Sequence, residues 1–322
     1  LMREREEVFD HFITAVINTL NADEIYDAAI EALQDILQPD GLLLMMNQNT
    51  RHVFSVIRKC GSIACTKSYS VPTDSMLQEL KDSPNLIMLN DTGKHILDLM
   101  TPRQRNWLNA EHITAIYTLK YNQVIIGFLY LAAHDGQDFA PEELRYLEKI
   151  CYYSSYALRN ANLYQNAYRA SITDDLTSLY NRKHAFECID HVCQHQKPST
   201  LIKLYNELYG AQESDNLIHR FAQVILQEIS SKDIGFRFGA DEFLILKAGT
   251  DIDEACSCCK RIVDAITDAT PANTVWDITI TCGISVFPDI STDAASFLHN
   301  AEQAIYYGKQ AGKGNIEVYR NR

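Results

Sequence analysis

No stretch of this sequence carries the ~18 consecutive apolar residues that a membrane-spanning helix needs, and the longest apolar run, VIIGFLYLAA at 124–133, is strand-like. A membrane segment is therefore not expected in this piece, and a cytoplasmic setting is. Basic residues are also scarce: 29 Lys and Arg stand against 42 Asp and Glu, a net charge of −13 that repels a phosphate backbone. Nucleic acid is excluded as a partner. A nucleotide is not, because a divalent cation and a few local lysines can neutralise one triphosphate. The nine cysteines show neither paired zinc spacing nor the density of a disulfide scaffold, which fits a reducing compartment. Three of them fall in DEACSCCKRIVDAI (253–266), an amphipathic helical pattern in which they read as packing residues. The sequence begins at Leu1 rather than at an initiator Met, which leaves an upstream segment open, a membrane anchor included.

What is present organises into two domains, the natural expectation for 322 residues of which 46% are apolar. Residues 5–37 carry apolar side chains at helical spacing. Short β-prone runs come next at 41–46, 52–58, 85–90, 113–121 and 124–133, the last two forming a hairpin about Asn122 and Gln123. Pro141 then suits the first turn of a long helix through about residue 171. Within it Leu147, Ile150, Ser154, Ala157, Ala161, Tyr164 and Tyr168 repeat at three-four spacing, either a seam for a partner helix or a stripe packed on the chain's own domains.

This order of elements, with the phrase FAPEELRYLEKICYYSSYALRNANLYQ, resembles a GAF domain over residues 5–165. The resemblance implies a central antiparallel sheet with helices at its ends and an unknown small-molecule ligand. The expected boundaries are 1–165 for this sensor domain, including the start of the connecting helix, and 166–322 for the second domain.

In the second half, RFGADEFLIL (237–246) sets two adjacent carboxylates, Asp241 and Glu242, between β-prone runs. The four residues Gly239 to Glu242 are of hairpin-loop length, and such a turn projects its carboxylates from a rigid sheet edge. Gly239 allows close backbone approach to a ligand, and a carboxylate there can bind Mg²⁺ alongside substrate phosphates. On composition alone a solvated hairpin is the commoner outcome. Three ordered segments favour chemistry instead: ITDDLTSLYNRKHAF (172–186), KDIGFRFGADEF (232–243) and AEQAIYYGKQAGKGN (301–315).

Together these resemble the GGDEF family. The first matches D-x-L-T-G-L-x-N-R at Asp174, Leu176, Thr177, Leu179, Asn181 and Arg182, with Ser178 in the glycine place. The resemblance implies an α/β (α+β) fold, a nucleotide-cyclase-like sheet with flanking helices after a GAF-like sheet with flanking helices. It implies condensation of two GTP into cyclic di-GMP by a homodimer joined through the connecting helix, with Mg²⁺ or Mn²⁺ as cofactor. Asp241 would hold metal and Glu242 would support catalysis. Gly239 and Ala240 would lie against substrate, Lys203, Lys309 and Lys313 would meet phosphates, and Asn206 and Asp215 would read guanine.

Four departures qualify it. Ala240 replaces the second glycine, at a cost of about 1 kcal/mol if the position needs a positive φ. Lys313 stands where the family has an arginine. The R-x-x-D product-inhibition motif falls on Ser230 and Asp233, leaving only the aspartate. Between Ile202 and Lys203 the family pattern expects several more residues, including a D-x-D whose first aspartate is the second metal ligand; either the strand is shortened there or a stretch is absent from the sequence. The expected function is a sensor-controlled diguanylate cyclase. The alternative is a degenerate module that binds nucleotide or relays a signal without turnover.

Overall fold

A computed structural model describes residues 2–47, 53–64, 69–70, 72–90, 93–134, 137–208, 214–268, 278–312 and 314–320. The chain divides into two compact units, Leu1–Asn166 and Ala167–Arg322.

The first unit opens with α1 (Met2–Ile17) and α2 (Ala22–Leu37). Asn21 caps α2 by accepting from the Asp23 N–H, and Gln38 ends it in a left-handed conformation. Then come β1 (Gly41–Asn47), β2 (Phe54–Gly61), β3 (Tyr69–Ser70), α3 (Asp74–Asp82), β4 (Leu86–Met88), α4 (Lys94–Asp98), α5 (Pro102–Ala110), β5 (Ile113–Tyr121), β6 (Val124–Ala132) and α6 (Pro141–Ile172). The sheet order is β3-β2-β1-β6-β5-β4, all pairs antiparallel. The unbroken apolar run of β1 is explained by burial on both faces. Leu42, Leu44 and Met46 join a core with α1, α2 and the start of α6, whereas Leu43 and Met45 pack with Met76, Leu80 and Leu108 of α3 and α5. The β5–β6 turn is the expected one: Asn122 (φ 43°) and Gln123 (φ 64°) are both left-handed, as a two-residue primed turn requires.

The seam read along α6 is largely occupied by the unit's own core. Leu147, Ile150, Ser154 and Ala161 are buried, and Ala157 packs against the same cluster, so packing on its own domain wins over a partner helix at those positions. Tyr164 and Tyr168 remain exposed, with Tyr152, Tyr156 and Leu163. Among the described residues no helix is long and apolar enough to cross a membrane.

The second unit contains β7 (Tyr180–Asn181), α7 (Arg182–Gln194), β8 (Ser199–Leu208), α8 (Ser214–Glu228), β9 (Ile234–Arg237), β10 (Glu242–Ala248), α9 (Ile252–Asp268), β11 (Ile278–Phe287), α10 (Ala294–Gln310) and β12 (Ile316–Val318). Its sheet order is β12-β11-β8-β10-β9-β7. Ile202, Leu204, Phe243 and Ile245 face α8 and α9, where Cys258, Cys259 and Cys282 are plain core residues; Leu201, Leu244, Phe236 and Phe238 face α7 and α10. Gly283 is what lets α10 lie so close, since a methyl there would stand 2.2 Å from the Ala301 carbonyl oxygen.

The central strand β8 bears on one expectation. It pairs without a register shift to β10 from Ser199 to Tyr205 and to β11 from Ser199 to Leu208, straight across Ile202–Lys203. The ladder is unbroken at that point, so both neighbouring strands find their backbone partners there.

Ser178, in the glycine place of the first motif, has φ 60° and is exposed. Its N–H closes a turn on the Asp174 carbonyl at 2.9 Å. A side chain in this left-handed region is disfavoured by roughly 1 kcal/mol, partly offset by the extra unfolded-state freedom of glycine. Ser178→Gly is expected to stabilise the unit by about 0.5 kcal/mol in urea unfolding; a loss of stability would show that the turn carries no such strain.

Candidate active site

The β9–β10 hairpin forms as expected. Its turn is closed by the Phe238 and Gly239 N–H groups, which donate to the Glu242 carbonyl at 2.7 and 3.1 Å. Asp241 lies in the turn and Glu242 begins β10. Two braces hold the tip. The Asn206 N–H of β8 donates to the Asp241 carbonyl at 2.9 Å. Arg237 donates from Nη1 to both carboxylate oxygens of Asp174, at 3.1 and 3.2 Å, and from Nη2 to the Ala240 carbonyl at 3.4 Å. Asp174 also accepts from the N–H and hydroxyl of Thr177, at 2.9 and 2.7 Å. Burial would raise its pKa, but the bonds from Thr177 and Arg237 outweigh that and hold it below the usual carboxylate range. The first motif thus braces the second.

Ala240 does not adopt a positive φ, so the feared backbone cost is absent. Gly239 is also on the ordinary side, and a methyl there would lie against the Glu242 side chain, 3.2 Å from Oε2 and 3.4 Å from Cβ.

The remaining residues divide between the two faces of the sheet. On the α10 face, Lys203 is buried, its Nζ 2.8 Å from Glu302 Oε1 and 3.4 Å from Glu242 Oε1. It neutralises the motif glutamate from inside. Tyr205 comes two residues later on the same face and pairs across the ladder with Glu242. The Lys309 ammonium of α10 lies 3.3 Å from the centre of its ring. On the α8 face, Asn206 is only 3% exposed, and its Oδ1 has no hydrogen-bond partner among the described residues. Asp215 is exposed in the first turn of α8. Lys203 and Asn206, expected to serve one substrate, therefore lie on opposite faces. Lys313 is outside the described residues.

Asp241 is half-exposed, and among the described residues its carboxylate makes no hydrogen bond or ion pair. No three His, Cys, Asp or Glu side chains converge to cage a metal among those residues. A lone, accessible carboxylate still fits Mg²⁺, which keeps waters and takes one or two carboxylates together with substrate phosphates.

Residues 171–315, the segment that carries this hairpin and both braces, match the family described as "Diguanylate cyclase, GGDEF domain". The second unit is a GGDEF domain of the diguanylate cyclase family. The sequence relatives agree. "Diguanylate cyclase A" of Treponema denticola is 22% identical over 365 aligned residues, covering 100% of this chain and 92% of that protein. "Diguanylate cyclase DgcZ" of Escherichia coli is 28% identical over 169 residues, 49% of this chain and 56% of its own. "Uncharacterized protein YtrP" of Bacillus subtilis is 27% identical over 206 residues, 62% of this chain but 35% of its own length. The chain thus spans about a third of one of these proteins and about half of another.

The position onto which the family's product-inhibition motif was read, Ser230 and Asp233, is internal to this GGDEF domain. Asp233 accepts from the Ser230 N–H and hydroxyl, from Lys247 Nζ at 3.0 Å and from the Ala248 N–H. Its carboxylate is therefore fully engaged by its own domain.

Proposed function

We propose that the chain is a diguanylate cyclase under the control of its first unit, condensing two GTP molecules into cyclic di-GMP. The observation that carries this reading is the braced hairpin of the GGDEF domain, which presents the accessible Asp241 carboxylate at its tip. Asp241 would hold a Mg²⁺ or Mn²⁺ ion arriving with the triphosphate, and that ion, when bound, supplies charge stabilisation at the phosphates. Glu242, tied to Lys203, keeps the start of β10 in place. Lys309 offers a cation for the phosphates beside the same strand end. On the other face, Asn206 Oδ1, without a partner among the described residues, is an acceptor suited to the donor edge of guanine, and Asp215 adds a second.

Because one GTP is held per domain, the product requires two copies, and we read the protein as a homodimer. The exposed Tyr152, Tyr156, Leu163, Tyr164 and Tyr168 of α6 supply apolar surface for it. The antiparallel sheet of the first unit, with helices on both faces, supports a GAF-type small-molecule sensor, and the setting is cytoplasmic.

The test is a calorimetric titration of the full chain with GTP and with ATP in the presence of Mg²⁺. GTP is expected to bind at least about tenfold more tightly, the worth of one or two base hydrogen bonds whose partner is otherwise left buried. Equal affinity for the two would reject the guanine assignment.

A further inference from the structure

Helix α7 ends in two histidines one turn apart, His191 and His195, both exposed and far from the GGDEF hairpin in sequence. Their ring centres are 4.1 Å apart with planes tilted by 34°. Each ring has one nitrogen whose protonation the surroundings fix. His195 Nδ1 lies 2.9 Å from the His191 carbonyl oxygen. A carbonyl only accepts, so Nδ1 carries a proton, and in the neutral ring Nε2 keeps its lone pair. This is the arrangement by which backbone carbonyls orient metal-ligating histidines. His191 Nε2 lies 3.2 Å from Lys197 Nζ. An ammonium has donors only, so this Nε2 is also unprotonated, and its lone pair already faces a cation.

Two further features favour positive charge and neutral rings at this spot. The last turn of a helix carries the negative end of the macrodipole, and His195 is the C-cap of α7. The nearby His195, with loss of hydration and Lys197 as smaller causes, holds His191 below the usual imidazole range.

We infer that His191 and His195 form a two-nitrogen seat for a divalent first-row transition metal of the imidazole-preferring class, Ni²⁺, Cu²⁺ or Zn²⁺, which enters by displacing the Lys197 ammonium. Residues four apart on a helix lie on one face, which is the spacing a helical His pair needs to share one ion. Water completes the shell, since no three ligating side chains converge among the described residues. Hard cations such as Mg²⁺ are not accepted, because they take oxygen ligands. The neighbouring His184 does not compete: its Nδ1 is 3.0 Å from Glu187 Oε2 and its Nε2 is 3.5 Å from Cys188 Sγ, so both ring nitrogens are engaged.

The experiment is a calorimetric titration of the full chain with Ni²⁺ near neutral pH, in excess Mg²⁺. One site is expected, weakened at least about tenfold by His191→Ala and by His195→Ala, as loss of one of two ligands should do. Lys197→Met is expected to tighten binding severalfold by removing the competing ammonium, and His184→Ala to leave it unchanged. His191, His195 and Lys197 are exposed, and circular dichroism melts would confirm that every variant folds. Wild-type affinity in either His191→Ala or His195→Ala overturns the assignment, as does weaker binding in Lys197→Met or a loss in His184→Ala.

Discussion

Asp241→Ala is expected to lower cyclic di-GMP formation from GTP and Mg²⁺ by at least about a hundredfold, because even the groups that merely orient metal ligands are worth 10- to 100-fold. The fold should survive the change. Asp241 sits in the turn, its carboxylate bonds to nothing among the described residues, and the turn is held by the backbone of residues 206, 238, 239 and 242 together with Arg237. An unchanged urea midpoint would separate lost chemistry from lost structure. More than a tenth of wild-type activity in Asp241→Ala would remove this residue from the reaction. A second arm probes the strand beside it. The family pattern has aspartates near the end of this strand, whereas Tyr205 stands across from Glu242 under the Lys309 ammonium. With one accessible carboxylate in place of two, wild-type turnover should be slow, and Tyr205→Asp should raise it. A further fall in Tyr205→Asp would show that the ring itself is needed.

The difference between what was readable and what was not comes from range and from period. The hairpin was readable because its signal is local: two apolar runs flanking a turn with a glycine, a pattern that only the register of β10 with β8 and β9 had to confirm. The β5–β6 turn was readable for the same reason. Lys203 and Asn206 were assigned to one substrate through the family motif, and their spacing alone did not show that three residues along a strand lead to opposite faces. The surroundings of Lys203 depend on Glu302, 99 residues away, for which no local pattern exists. The small helices of the first unit went unread although α5 carries a full capping box, Thr101 with Gln104, and Pro102 in its first turn. Its only buried residue is Leu108, so the apolar periodicity that would have drawn attention to those caps is missing. The seam along α6 was ambiguous in principle, since a stripe of period three to four serves a partner helix and a domain core equally well.

Asp233→Ala is expected to destabilise the second unit by about 3–5 kcal/mol, the usual result of removing one partner from a buried ion pair. The side chains of Asp233 and Lys247 are 3% and 10% exposed, so the ammonium left behind would be both desolvated and unpaired. The Ser230 and Ala248 N–H groups would lose their acceptor as well. Asp233→Leu with Lys247→Met should recover the part of the loss due to the stranded ammonium, because paired apolar groups restore packing without the charge. Burial pushes the Asp233 pKa up, but Lys247 and Ser230 together bring it below the ordinary carboxylate value. A carboxylate depressed in the folded state contributes stability above its unfolded pKa of about 4, and that contribution disappears as pH falls through the folded value. Wild-type stability should therefore drop below about pH 4 more steeply than that of the double variant. The same bonds predict weak product inhibition. A carboxylate already satisfied by four donors, with Ser230 where an arginine fork would be needed, has nothing left with which to grip cyclic di-GMP. Matching acid profiles for wild type and the double variant would contradict the ion-pair account, and potent inhibition by added product would contradict the site assignment.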